Sequence, residues 1–516
     1  MATSLHSALL PHLFLLLPFF SSTTISFNPY ETTISQIQSA FSTNQLTSRQ
    51  LVRFYFSQIR TLNPKLHAVI ETNPDALFIA GTSDYRRNLG LPPLSPLDGI
   101  PILLKDNIAT LDRLNTTAGS FALLGSTPPR DATVVQRLRL AGAVILGKAS
   151  LSEWDNFRSI NAPDGWSPRG GQGVNPYNLT AGPCGSSSGP AIAVAANMVV
   201  VGLGTETDGS ILCPAARNSV VGIKPTVGLT SRAGVVPISK RQDTVGVMGR
   251  TVEDAVAVLE VIVGFDVFDA AATAAAAQFI PAGGYRRFLN AGGLKGKRIG
   301  ILRRGFFDYA PESVENATFE SHFLTIKRKG AILVDNIEIP NVETILDPTQ
   351  SGEVVGLLAE FKLALNAYLR DLITSPVRSL ADVIAFNNNH PIEERLPEYG
   401  QAIFLAAEST TGLGPAERAA IKNLAELSKN GLEKVMKEKK LDAIAFPDAP
   451  AAPILAIGGY PAISVPAGYD DDNVPFGIGF GALRGSEPRL IEIAYGFEQA
   501  TKVRRPPQLQ ASFERT

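Results

Sequence analysis

Three segments carry side chains whose types and spacing could do chemistry. In Asp98-Gly-Ile-Pro-Ile-Leu-Leu-Lys105-Asp-Asn107 a lysine closes an apolar run, after a proline that fixes its entry. A strand-end lysine ordinarily snorkels to water. Buried, it would lose solvation of its ammonium, and the neutral amine could then accept a proton near neutral pH. The second segment, Gly182-Pro-Cys184-Gly-Ser186-Ser187-Ser188-Gly189, is a triple serine between glycines, which composition alone reads as a turn-forming loop. The third is Gly202-Leu-Gly204-Thr-Glu-Thr207-Asp208-Gly209-Ser210. Its glycines let backbone N–H groups crowd one oxygen, as an oxyanion hole demands. Ser210, at its end, is a candidate nucleophile, with the N–H groups of Thr207, Asp208, Gly209 and Ser210 as candidate donors. Neither serine segment is a phosphate cradle, since GxxxxGK[ST] and the third glycine of a dinucleotide loop are both missing.

Rival chemistries find less support. Of the 5 histidines, His6 and His12 fall in the apolar N-terminus, leaving His67, His322 and His390. None accompanies a GxSxG elbow, so a Ser-His-Asp arrangement is not expected and all three read as structural or surface residues. Neither HExxH nor clustered Cys/His spacing marks a metal centre, and no cofactor is expected.

These segments need rigid elements to hold them. Short apolar runs at Ile100–Leu104, Ala143–Leu146, Val199–Leu203, Arg298–Leu302, Ala331–Val334 and Ile444–Phe446 read as buried strands alternating with helical stretches. The alternation predicts an α/β fold with a largely internal sheet. Thr47-Ser48 precedes a periodic run that predicts a helix. Ala191–Leu203 reads as a buried helix and strand, and the alanine-rich Asp269–Ala277 as a surface helix or insert. Residues 345–440 have helical periodicity and are expected to cap one end of the sheet. With the loop 156–176, residues 345–410 of this region are expected to shape a substrate pocket that Trp154 and Trp166 could line, although Trp154 is expected rather to pack in the core.

Composition bounds the class further. The 516 residues are 45% hydrophobic and 18% charged, which describes an ordered, core-rich globule. Lys+Arg number 47 against 48 Asp+Glu, so the net charge of −1 argues against nucleic acid as the main partner. Residues 1–30 contain no Lys, Arg, Asp or Glu, and Ala8–Phe20 is apolar. That run is shorter than the roughly 20 residues a spanning helix needs. It predicts a secretory signal peptide over 1–26, cleaved within 21–27, and hence a secreted protein with no stable membrane insertion. An uncleaved membrane anchor is the alternative. In the secretory route the sequons at Asn316 and Asn115 become candidate glycan sites, whereas Asn178 is expected to be too buried. Cys184 and Cys213 could be bridged or could be two small buried hydrophobes.

Taken together and in this order, the three segments resemble the amidase signature family. The resemblance begins near Leu46-Thr-Ser48. It runs through Gly222-Ile-Lys-Pro-Thr-Val-Gly228 and Arg250-Thr-Val-Glu-Asp254 to Gly458-Gly-Tyr-Pro-Ala-Ile-Ser-Val-Pro-Ala-Gly468. It implies one large α/β domain over residues 27–516 with a central twisted mixed sheet flanked by helices. It also implies a Ser–cisSer–Lys triad of Ser210, Ser186 and Lys105, the spacing of the two serines selecting Ser186 from its neighbours. The implied activity is cofactor-free hydrolysis of a carboxamide through a covalent acyl-enzyme. Within the family, Thr205–Ser210, Gln242-Asp243-Thr244, and Glu360-Phe-Lys362 followed by Asn366-Ala-Tyr368 are most similar to peptide amidases and plant and fungal relatives. The substrate would then be a small-molecule or peptide amide, such as a peptide's C-terminal amide. The alternative readings are a catalytically inactive binding protein and an amidotransferase A-type subunit. The chain departs from the common pattern at Cys184, Ser188 and Pro190, and at Asp208, where many members have glycine. A carboxylate against Lys105 would favour the ammonium, so Asp208 is expected to point away from it, with Arg217 as candidate partner.

Overall fold

The computed structural model describes residues 27–509, so the expected leader lies outside the described residues. Thirteen strands occur in chain order among the described residues. They are β1 (Val69–Thr72), β2 (Pro101–Lys105), β3 (Val144–Ala149), β4 (Trp166–Ser167), β5 (Gly171–Gln172), β6 (Val201–Glu206) and β7 (Val221–Lys224). The rest are β8 (Thr244–Gly249), β9 (Arg298–Ile301), β10 (Ile332–Val334), β11 (Ala443–Pro447), β12 (Ala462–Tyr469) and β13 (Pro475–Gly481). Eleven of them form one sheet, ordered β1-β3-β2-β6-β8-β7-β12-β13-β11-β9-β10, while β4 and β5 pair separately. The sheet is mixed: β2 lies parallel to β3 and β6, and β9 lies parallel to β10 and β11. Antiparallel pairs join these two groups through β8, β7, β12 and β13.

The two parallel groups consist of the apolar runs the sequence shows, because strands covered on both faces read as unbroken hydrophobic stretches. The antiparallel centre is interrupted by glycine, which close packing requires. On β13 a Cβ at Gly479 would lie 2.2 Å from the Phe446 ring carried by β11. Helix Ser48–Leu66 begins as expected, with Thr47 and Gln50 exchanging hydrogen bonds in a capping box. Ser188–Ala195 is a buried helix leading to β6, and Ala270–Ala277 is a helix. Between 345 and 440 the chain is mostly helical, including Glu353–Asp371, Leu380–Asn389, Ala402–Glu408 and Pro415–Ser428. Phe361, Leu365, Leu380 and Phe404 of the first three of these helices join Trp154, Val236 and Ile238 in a second hydrophobic cluster, whereas Leu424 and Leu427 of Pro415–Ser428 belong to the main core.

A buried ion cluster reinforces that contact. Arg158 pairs with Glu153 and, at 3.3 Å, with Glu394 between the helices Leu380–Asn389 and Leu396–Tyr399. It also donates to the carbonyls of Glu394 at 2.6 Å and Gly400 at 3.0 Å. Burial, followed by the neighbouring Glu394, pushes the Glu153 carboxyl well above its ordinary range.

Cys184 and Cys213 are bridged, with 5.9 Å between their Cα atoms. The bridge ties the triple-serine loop to helix Leu212–Arg217, which follows Ser210. Closing a loop of this length stabilises a fold by about 3–4 kcal/mol in the chain-entropy description. Cys184→Ser with Cys213→Ser should therefore lower the free energy of unfolding in a denaturant titration by about that amount; an unchanged midpoint would show that the bridge constrains nothing.

Candidate active site

Lys105 ends β2 inside the sheet and is fully buried. Its Nζ donates to Ser186 Oγ at 2.6 Å and Thr205 Oγ1 at 2.8 Å, with Thr205 O at 3.4 Å. It also lies 2.5 Å from Asp155 Oδ1. Burial pushes the Lys105 amine below its usual range, and Asp155, then Glu206 and Asp243, oppose that shift.

The triple serine divides its work. Ser186, preceded by a cis Gly185–Ser186 peptide, presents its hydroxyl to the amine, and its carbonyl accepts from Ser152 N at 3.0 Å. Ser187 is occupied elsewhere: its hydroxyl donates to Thr205 O at 2.9 Å and accepts from Thr205 N at 3.2 Å. Ser188 opens the helix Ser188–Ala195. Ser187 N donates to Ser210 O at 3.1 Å, which brings the second and third segments together.

Ser210 is half-buried, and its Oγ makes no hydrogen bond among the described residues. The turn around it is built by β6: Glu206 Oε2 accepts from Ile211 N at 2.6 Å and Leu212 N at 2.9 Å. Thr207 Oγ1 donates to Asp243 Oδ1 at 2.7 Å. Gly209 adopts φ +80°, a left-handed conformation costly for side-chain-bearing residues. As a result the N–H groups of Thr207, Asp208, Gly209 and Ser210 donate to no group among the described residues. Four consecutive amides thus remain available to an incoming oxygen.

Asp208 is oriented differently from the expected pairing with Arg217. Its charged neighbours are Glu353, Glu206 and Lys224; burial, then the two glutamates, push its carboxyl well up. Arg217 instead sits near Asp448 and Tyr309. The carboxylate against the amine is Asp155, whose Oδ2 accepts from Asn107 Nδ2 at 2.9 Å. Asn107 also donates to Thr205 Oγ1 at 2.8 Å. Asp155, Asn107 and Thr205 are site residues that motif and spacing leave without a role; nothing in the run Glu153–Asn156 signals that it bends back onto a strand end.

Trp154 and Trp166 are both buried rather than pocket-lining, Trp154 on Phe404 and Trp166 on Tyr399. The histidines have local contacts. His322 Nε2 hydrogen-bonds Ala467 O at 2.6 Å, His390 stacks on Phe386, and His67 ends the helix Ser48–Leu66. A cavity of about 540 Å³ lies beside the site, between Arg130, Arg232, Lys240 and Tyr368.

Fold and site define the class, and sequence comparison agrees. The amidase family's sequence model matches residues 50–491. The chain belongs to the amidase signature family and is a hydrolase acting on carbon–nitrogen bonds of linear amides. It is 58% identical over 487 residues to an Arabidopsis thaliana protein described as a "probable amidase", covering 94% of this chain and 93% of that one. The crystal structure of peptide amidase from Stenotrophomonas maltophilia superposes with a TM-score of 0.87 at 43% identity, over 93% of this chain and 99% of the other. A glutamyl-tRNA(Gln) amidotransferase polypeptide from Myxococcus xanthus is 30% identical over 90% of this chain and 96% of its own length.

Proposed function

We propose that the chain hydrolyses the C-terminal amide of peptides with Ser210 as nucleophile, Ser186 as proton relay and Lys105 as base. The observation that carries this reading is the dry contact of 2.6 Å between Lys105 Nζ and Ser186 Oγ, placed beside a row of free amides. Ser210 Oγ bonds to the amide carbonyl carbon; its proton passes to Ser186, whose own proton passes to Lys105. The bond from Ser187 N to Ser210 O at 3.1 Å ties the nucleophile's backbone to the residue that follows the relay serine. The N–H groups of residues 207–210 hold the oxyanion. Collapse breaks the C–N bond, the relay returns the proton to the departing nitrogen, and water then attacks the acyl-serine. The peptide-amide substrate is supported by the likeness to peptide amidase.

The test is a hydrolysis panel of peptide amides, fatty amides, indole acetamide and esters, with Ser210→Ala as control. Turnover concentrated on peptide amides is expected, whereas a preference for fatty amides would overturn the substrate class. Gly209→Ala, which forces a side chain into the left-handed turn, should lower kcat about 10²–10³-fold with little change in KM. An unchanged kcat would remove residues 207–210 from the oxyanion role.

A secretory location belongs to the same proposal, supported by the apolar leader and by the Cys184–Cys213 bridge. Among the described residues no helix is long and apolar enough to cross a membrane. Asn316 lies in the first turn of helix Val314–Arg328, and its side-chain nitrogen donates to Pro311 O at 3.0 Å. The Asn115 nitrogen instead donates to Glu71 at 2.8 Å in a half-buried setting, which makes Asn316 the better glycan acceptor. Asn178 is half-buried rather than buried. N-terminal sequencing of the protein purified from a eukaryotic host should begin within residues 21–27; a start at residue 1 would contradict cleavage.

A further inference from the structure

Trp154, Asp155 and Asn156 have φ values of +49°, +58° and +70°, three successive non-glycine residues in left-handed conformation. Such backbone is uncommon and persists where surrounding contacts impose it. Here Trp154 N donates to Ala118 O at 2.9 Å, Asp155 N to Ser152 O at 3.0 Å and Phe157 N to Trp154 O at 2.9 Å, while the indole packs on Phe404. The bend turns Asp155 inward until its side chain is 7% exposed. Oδ1 then lies 2.5 Å from Lys105 Nζ, 3.3 Å from Ser186 Oγ and 3.4 Å from Thr205 Oγ1, and Oδ2 accepts from Asn107. Every polar neighbour of this carboxylate is a donor, which suits the ionised form.

We propose that Asp155 is a positioning residue that holds Lys105 as an ammonium in the resting enzyme and so sets the pH above which the amidase works. The inference rests on the reading of Lys105 as the base. An ammonium in contact with a carboxylate must be deprotonated against that attraction, and an opposite charge at this range moves a titration by about 1–3 pH units. The other charges facing the amine are Glu206 from the end of β6 and Asp243 from the turn before β8. The Glu206 carboxylate is committed to the N–H groups of Ile211 and Leu212, and Asp243 to Thr207 and to the N–H groups of Ile238 and Ser239. Arg232 lines the same crevice as Asp155 but is paired with Asp269. Asp106 follows Lys105 in sequence and faces Thr117, Lys148 and Arg169. Among the charged groups of the described residues, Asp155 alone therefore touches the amine. Its negative charge favours the protonated amine, so removing it should free the base at lower pH.

The experiment measures kcat/KM against pH on a peptide amide for the wild type, Asp155→Asn and Asp155→Ala. Asparagine preserves the shape and the contact with Asn107 if alanine fails to fold. The wild-type acid limb is expected above neutral pH. Both variants should move it down by at least about one unit, raising activity on the acid side about tenfold relative to each variant's own alkaline plateau. A wild-type profile already flat below neutrality, an unshifted or raised limb, or a folded Asp155→Asn inactive at every pH would overturn the proposal. The last outcome would make Asp155 itself part of the proton path. Ser210→Ala separates the two readings: if it retains turnover, the assignment of the nucleophile fails, whereas an inactive Ser210→Ala with unshifted Asp155 variants refutes only the role of Asp155.

Discussion

Ser210→Ala is expected to lower kcat by at least about 10⁴-fold while leaving the unfolding midpoint within experimental scatter. The kinetic loss follows from the role of Ser210 Oγ as the atom that takes the acyl group, and removal of a serine nucleophile elsewhere costs this much or more. The stability expectation follows from the half-buried Ser210 hydroxyl having no hydrogen-bond partner among the described residues. Ser187→Ala should behave in the opposite way. Its hydroxyl bonds both backbone groups of Thr205, so stability should fall by about 1–3 kcal/mol while much of the activity survives. Initial rates on a peptide amide, with circular dichroism during heating, check both variants. A Ser210→Ala protein working at near wild-type rate would contradict the nucleophile assignment.

Arg158→Met should destabilise the fold by about 3–5 kcal/mol at neutral pH, because it leaves two buried carboxylates without their cation. The loss also opens the contact between residues 153–158 and the cap helices at Glu394 and Gly400. The pH dependence has a definite sign. Burial and mutual repulsion already raise the Glu153 carboxyl, and burial raises that of Glu394. The unfolded chain ionises these groups in the ordinary carboxylate range, so the variant's deficit should shrink as pH falls from neutral towards about 5. Urea titrations at two pH values measure this. A deficit that grows on acidification would contradict the picture of repelling buried carboxylates.

Much of the fold was legible because its parallel strands, all but the edge strand β10 largely buried, read as unbroken apolar runs. All six runs identified that way are strands of the main sheet. The strands β7, β8, β12 and β13 were not, because glycines such as Gly479, needed where an aromatic ring packs against the backbone, erase the hydrophobic signal. Lys105 and Ser186 were legible as chemistry, and the structure places them in direct contact. Asp155 was not, since its position depends on three left-handed residues that no periodicity encodes. Asp208 showed the converse. Its charge was visible, but the contact with Glu353 depends on a helix far away in sequence and that with Lys224 on how β7 sits in the sheet, and Arg217 was only the nearest cation along the chain. The cysteine pair remained open for the same reason, because its geometry depends on how two serine-bearing segments meet.

The decisive measurement is peptide mapping by mass spectrometry of enzyme quenched in acid during turnover of a slowly hydrolysed peptide amide or ester. The acyl group should be found on the peptide containing Ser210, and it should disappear in Ser210→Ala. An acyl group on Ser186 or Ser187, or steady hydrolysis with no covalent species at any quench time, would contradict catalysis through Ser210.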